Sequence, residues 1–221
     1  MAAGKELILG GRRAADEKNF SASTAFDDHK IKFVVKRCRG KNVLDLGCVQ
    51  HNPRNYNSRY WLHKAIKKVA ASVVGIDLYE IGVHYLKERG FDVIVADAQC
   101  FNLGRIFDVI VAGDVVEHLD NFDGFFNSCK RHMFRNSKLL ISTPNAWYWR
   151  NIVKVIIFRK VIRNNPEHTC WLCPITLRQL ANRYGFDFGE VMFGSSYVKD
   201  KLMPLPSGIK HTSFHAELFL K

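Results

Sequence analysis

Val43-Leu-Asp-Leu-Gly-Cys48 sets apolar side chains around an acidic residue and follows them with a glycine. Such a run is expected of a strand buried on both faces of a parallel sheet, ending where a missing Cβ lets a ligand approach the carboxyl end. The pattern recurs. Val73-Val-Gly-Ile-Asp77, Phe91-Asp-Val-Ile-Val-Ala-Asp97 and Phe107-Asp-Val-Ile-Val-Ala-Gly-Asp114 are apolar runs closed by an acid, and Lys138-Leu-Leu-Ile-Ser-Thr143 is a fifth run, stopped by Pro144. Helical spacing fills the gaps. It recurs at Ile31, Val34, Val35 and Cys38 before Gly40, from Tyr60 to about Ala71, over Tyr79–Arg89 before Gly90, over Asp120–His132, and over Pro174–Tyr184 before Gly185. Strands alternating with helices predict an α/β fold with a doubly wound, mostly parallel sheet. The strand-like stretches Phe186–Phe193 and Ser213–Leu220 would complete seven strands as a hairpin-like pair at one edge.

The chain has 221 residues, 47% of them hydrophobic, which suits one domain over 27–221 preceded by a flexible arm over 1–26. Its formal charge of +12 points to a polyanionic partner: nucleic acid, an anionic membrane surface or a phosphorylated substrate. No apolar leader follows the first lysine, and no uncharged run reaches the roughly eighteen residues of a membrane span, so a cytoplasmic protein is expected. The six cysteines show no disulfide-framework spacing and read as mostly buried thiols; Cys170 and Cys173 alone form a Cys-x-x-Cys.

Asp45, Asp77, Asp97 and Asp114 fall at the ends of successive strands, the rim where open α/β sheets bind ligands. Taken singly, each reads equally well as a helix N-cap. Together they suit a ligand that carries hydroxyls and a positive charge. An acid ending the second strand is placed to accept ribose hydroxyls, and Gly47 lets backbone come close.

The set Val43-Leu-Asp-Leu-Gly-Cys48, Gly75-Ile-Asp-Leu78, Ala96-Asp-Ala98, Asp114-Val-Val-Glu-His-Leu119 and Ser142-Thr-Pro-Asn145 resembles the class I S-adenosylmethionine-dependent methyltransferases. Glu117-His118-Leu119 and the segment ending at Phe186 resemble the small-molecule branch related to the ubiquinone-biosynthesis O-methyltransferases. The resemblance implies a Rossmann-like methyltransferase fold with a helical lid insertion over 146–173. It also implies S-adenosylmethionine as cofactor. Asp45, Gly47 and Cys48 would lie at its methionine portion, Asp77 at the ribose, Leu78 on the adenine, Asp97 and Ala98 at the exocyclic amine, and Gly113 and Asp114 near the aminoacyl end. The implied acceptor is a small or lipid- or carrier-linked molecule, methylated at oxygen.

The family's Gly-x-Gly is absent, since Gly47 is followed by Cys48-Val-Gln-His-Asn-Pro53. This counts more heavily against a nicotinamide dinucleotide, whose pyrophosphate needs successive glycines. An RNA methyltransferase is the rival enzyme. Against it, the basic residues are scattered, and Asp114-Val-Val-Glu stands where an Asn- or Asp-Pro-Pro-aromatic tetrapeptide would mark amino-group methylation. A non-catalytic cofactor-binding protein is the rival outside enzymes.

His118 and His168 are the candidate catalytic groups, as hydroxyl-orienting or basic imidazoles, against the alternative that each simply packs or hydrogen-bonds. Methyl transfer requires no metal, and none is expected; a zinc site from His168, Cys170 and Cys173 lacks a second Cys pair. His51, Asn52 and Tyr56 could close over the cofactor or lie on the surface. Trp147, Tyr148 and Trp149 could wall the acceptor. The basic, aliphatic and aromatic segment 147–163 is expected to pack as a lid against the sheet, with a helix lying on an anionic membrane as the second reading.

Overall fold

The computed structural model describes residues 27–50, 52–159, 165–194, 200 and 203–221. The expected arm over 1–26, His51 and part of the 147–163 segment lie outside the described residues.

Helix α1 (Asp27–Cys38) leads to β1 (Asn42–Leu46), and a 3-10 turn (Pro53–Asn57) and α2 (Leu62–Lys67) follow. Next come β2 (Ser72–Asp77), α3 (Glu80–Lys87), β3 (Val93–Val95), β4 (Phe107–Gly113), a 3-10 turn (Val116–His118), α4 (Phe122–Arg131) and β5 (Met133–Pro144). The rest is α5 (Trp149–Phe158), α6 (Pro174–Arg183), β6 (Phe186–Phe193), α7 (Ser207–Lys210) and β7 (Ser213–Leu220).

These strands form one seven-stranded sheet of order β3-β2-β1-β4-β5-β7-β6. The first five pair in parallel, while β7 pairs antiparallel with both β5 and β6. The expected edge pair therefore forms, with its later strand inserted inward.

Alternation along each strand divides the core between two faces, as the period of two dictates. Leu44, Leu46, Ile110, Ala112, Leu139 and Ile141 join Phe125, Phe126 and Leu177 of α4 and α6 on one face. Val43, Val109, Val111 and Leu140 meet Phe33, Val34, Leu62 and Ile66 of α1 and α2 on the other. Helix α3 closes the β2 end through Val83 and Leu86, packed with Trp61 and Val93.

Several elements differ from their expected bounds. β3 keeps three residues of the expected Phe91–Asp97 because an edge strand has a single neighbour to pair with, and α2 shortens to Leu62–Lys67. β5 instead begins at Met133, where Ser137 Oγ donates to Phe107 O and accepts from Phe134 N.

The largest departure is α5. A lid buried against the sheet was expected, yet Ile156 and Ile157 stand 69% and 64% exposed, with Val155, Ile152, Trp147 and Trp171 exposed nearby. Its root is fixed instead. Buried Asp200 accepts from Tyr148 Oη and from Arg150 Nε at 2.8 Å, which holds the start of α5 to the chain before β7.

Phe126 stacks on Tyr184 (4.8 Å between centroids) and meets Phe186 at 5.3 Å, joining α4, α6 and β6. Phe126→Ala should cost about 3–5 kcal/mol through lost burial and a residual cavity. Thermal unfolding would show this as a melting temperature lower by roughly 10 °C.

Candidate functional site

β4 lies beside β1 although β2 and β3 intervene in sequence, so the chain leaves these two strands in opposite directions and a crevice opens at their carboxyl ends. The turns after them meet in that crevice. Gly47 has φ +72°, and a Cβ on it would stand 2.8 Å from Val115 Cγ2, so both its backbone conformation and its neighbour require glycine. Gly47 N and Cys48 N donate to Ile76 O at 2.8 and 3.2 Å, turning the chain across the end of β2.

Asp77 organises the next turn. Its Oδ2 accepts from Val49 N and its Oδ1 from Tyr79 N, both at 2.9 Å, so one carboxylate holds the loops after β1 and β2. Its carboxylate is thereby fixed between the two turns. Leu78 beside it is 65% exposed, an apolar platform next to a hydroxyl-accepting acid. Asp97 and Ala98 are half-buried, and Asp97 Oδ1 accepts from Gln99 N at 2.8 Å. A nucleoside bearing a sulfonium fits this set: an acid for the ribose, an exposed aliphatic face for the base, and close backbone at Gly47.

Two of the expected contacts have internal partners. Asp45 is 3% exposed, and its Oδ2 lies 2.9 Å from Nδ1 of fully buried His63, so its carboxyl braces α2 against β1. Cys48 turns its thiol inward, where a Cβ on Gly75 would lie 2.6 Å from Sγ; burial pushes this thiol far above its ordinary range. Its backbone is what can face a ligand. In the loop that lacks the family's glycines, Asn52 caps the 3-10 turn by accepting from Arg54 N, Tyr56 packs edge-on against Tyr85 and Phe91, and Trp61 Nε1 donates to Cys48 O at 2.8 Å. This loop is braced by aromatic packing rather than by glycine turns.

The β4 side carries the remaining groups. A Cβ on Gly113 would stand 2.7 Å from Leu62 Cδ2. Asp114 adopts φ +56°, donates its N–H to Ser142 O at 2.8 Å, and pairs with Lys30 Nζ of α1 at 2.7 Å. Glu117 is 2% exposed and accepts from Thr143 Oγ1 at 3.0 Å; burial first, and then the charge of Asp114, pushes its carboxyl up to about 8.

His118 and His168 are brought together, their ring centroids 4.8 Å apart and their planes at 87°. Thr169 makes this contact: its N and Oγ1 donate to Glu117 O at 2.8 and 3.1 Å, and Oγ1 also reaches Leu119 O at 2.6 Å. Cys170 and Cys173 take other roles, the first donating to Val116 O and the second capping α6 with Thr176. Lys30, His63, Glu117 and Thr169 were missed as contributors, and only Glu117 had a signal, through its place in the quoted Glu-His-Leu.

A methyltransferase-domain family model matches residues 20–190. The chain is 29% identical over 144 residues to a probable S-adenosylmethionine-dependent methyltransferase of Mycobacterium tuberculosis, covering 63% of this chain and 49% of that protein. It is 28% identical over 137 residues to the ubiquinone biosynthesis O-methyltransferase of Agrobacterium fabrum, covering 59% and 51%. The chain thus spans about half the length of the curated relatives it matches. Among solved structures, an S-adenosylmethionine-dependent methyltransferase from Archaeoglobus fulgidus superposes with a TM-score of 0.61 at 19% identity, covering 87% of this chain and 91% of that one, which is a likeness of fold.

His215 has its Nδ1 2.6 Å from Ser142 Oγ; burial lowers it to about 4, with the charge of Asp114 opposing and those of Lys30, His29 and Arg37 reinforcing the shift. The native imidazole stays neutral while the unfolded one takes up a proton below its ordinary value near 6.5. The stabilisation is therefore complete above about pH 6.5 and is lost progressively towards pH 4. Between pH 7.5 and 5, urea unfolding should show the wild type losing about 2 kcal/mol more than His215→Gln.

Proposed function

The chain belongs to the family of S-adenosylmethionine-dependent methyltransferases, and from that premise we propose that it methylates oxygen on a small or carrier-linked acceptor. The observation that carries this reading is the division of the crevice. Gly47, Asp77, Leu78, Asp97 and Ala98 stand on the β1–β3 side, while Gly113, Asp114, His118 and His168 stand on the β4 side. When bound, S-adenosylmethionine supplies an electrophilic methyl carbon on a sulfonium.

Asp77 accepts the ribose hydroxyls while holding both flanking loops, and Leu78 packs on the adenine. Asp97 and Ala98 face the exocyclic amine. Gly113 and Asp114 meet the aminoacyl end, with Asp45 supporting β1 from below through His63. His118 and His168 then face the acceptor and orient its hydroxyl. Much of the rate enhancement in such a displacement comes from in-line positioning, which the fixed turns after β1 and β4 favour. The likeness to ubiquinone-biosynthesis O-methyltransferases supports oxygen as the acceptor atom.

The exposed apolar face of α5 supports a lipid-linked acceptor. Ile152, Val155, Ile156 and Ile157 lie beside Arg150 and Lys154, a composition suited to lying in an anionic membrane surface. No helix among the described residues is long and apolar enough to cross a membrane, so this contact would be peripheral. A cytoplasmic enzyme at the inner face of a membrane agrees with that arrangement.

Calorimetry with S-adenosylhomocysteine should show Asp77→Ala weakening binding by about 10- to 100-fold, the effect of losing charge-assisted hydrogen bonds. Unchanged affinity would refute the cofactor site. Co-sedimentation with phosphatidylglycerol-containing vesicles should fall about tenfold or more in the Ile156→Asp/Ile157→Asp variant and fall with added salt. Equal sedimentation of wild type and variant would refute the membrane contact. Product release from a panel of hydroxylated lipids, phenols, sugars and tRNA identifies the acceptor, and none with intact cofactor affinity would indicate a non-catalytic binder.

A further inference from the structure

Beside the two imidazoles that face the acceptor lies a buried carboxylate, Glu117, to which methyl transfer alone gives no role. Ligand atoms of Glu117, His118 and His168 all lie within 4.8 Å of one another, and among the described residues this is the grouping of three metal-ligating side chains that the fold produces. Two imidazoles and a carboxylate are a donor set for divalent first-row cations such as Mn2+, Co2+ and Zn2+, with coordination positions left for other ligands.

The set is built rather than incidental. Glu117 and His118 lie on the 3-10 turn directly after β4, and His168 lies on the segment that follows α5. The two segments are held by Thr169 N and Oγ1 on Glu117 O, Thr169 Oγ1 on Leu119 O and Cys170 N on Glu117 O at 3.4 Å. These bonds fix His168 against His118 before any ligand arrives. The Glu117 carboxylate is itself oriented, since Thr143 Oγ1 donates to Oε2, the kind of outer contact that sets the direction of a metal-binding carboxylate. Glu117 is 2% exposed, so its carboxylate faces the two imidazoles from inside the fold rather than from solvent. Lys30 Nζ pairs with Asp114 at 2.7 Å.

We infer that Glu117, His118 and His168 bind a divalent transition-metal ion whose open positions take the acceptor's hydroxyl oxygen. This rests on the methyltransferase reading for what the ion serves, but the ion site stands on its own geometry. An alcohol or phenol oxygen on such an ion loses its proton to water more readily and is held in one place, the two things an oxygen nucleophile needs. On this view the imidazoles act through the metal rather than as general bases. The thiols are excluded from the set: Cys170 Sγ donates to Val116 O and Cys173 Sγ accepts from Thr176 Oγ1, so the site is an open one and not a closed thiolate centre.

The test uses the full chain stripped with EDTA, without cofactor or acceptor, titrated with Mn2+ and followed by the paramagnetic resonance of the free ion. One ion per chain is expected, with enhanced water proton relaxation reporting open positions. His168→Asn, on a half-buried loop position, and Glu117→Gln should each weaken binding at least tenfold, while Cys170→Ser binds as the wild type does. Melting curves and S-adenosylhomocysteine affinity of His168→Asn, both expected to be unchanged, show that the fold and the cofactor site persist. Absence of saturable binding in the wild type, or wild-type affinity in His168→Asn, overturns the inference, and loss of binding in Cys170→Ser assigns the ion to thiolates instead. Failure of S-adenosylhomocysteine to bind, with Mn2+ still bound, would instead refute the methyltransferase reading.

Discussion

β4 pairs with β1 and not with β3, and this jump across the sheet is the constraint on which the rest of the molecule depends. Because neighbouring parallel strands lie less than 5 Å apart, the turns that leave them crowd unless one can fold tightly. Gly47 resolves the crowding by taking a left-handed conformation against Val115. The carboxyl end of β2 is then within reach, and Asp77 ties the loops after β1 and β2 together with two backbone bonds. The half of the crevice proposed to hold the cofactor is thus a direct product of strand order.

The half proposed to face the acceptor is assembled differently. Glu117 and Thr169 are 52 residues apart, yet the bonds between them set His168 against His118. Between those positions the chain runs out through α5, whose root is clamped by Asp200 and whose apolar face stays outside the core. The same excursion that delivers His168 to the crevice therefore carries an exposed aliphatic face to its surroundings. In the proposed function these are two ends of one device, one facing the reacting hydroxyl and the other the membrane in which a lipid-linked acceptor would reside.

The sheet was legible because strands buried on both faces read as near-continuous apolar runs, and the acids that close them fall on one rim by register. Val43–Cys48 and Phe107–Asp114 needed nothing more. β3 is shorter than its apolar run suggests because sequence does not reveal how many neighbours a strand has, and the burial expected for α5 is not found because an aliphatic run with tryptophans suits a buried lid and an exposed face equally. The roles of Asp45 and Cys48 were blurred for a related reason: which way a side chain leaves a strand end depends on His63 and Gly75, which arrive from elsewhere. His118 and His168 could each be singled out in the sequence, but their meeting could not, since it is made by bonds from Thr169 N and Oγ1 to a segment about fifty residues away.

In the proposed function the cofactor is held across the ends of β1, β2 and β4. Hydrogen–deuterium exchange with and without S-adenosylhomocysteine tests that placement most directly. The expected result is protection of the amides of 46–50, 77–80, 97–100 and 113–118, with α1 and α6 unaffected. Protection confined to other segments, or none at saturating ligand, would contradict it.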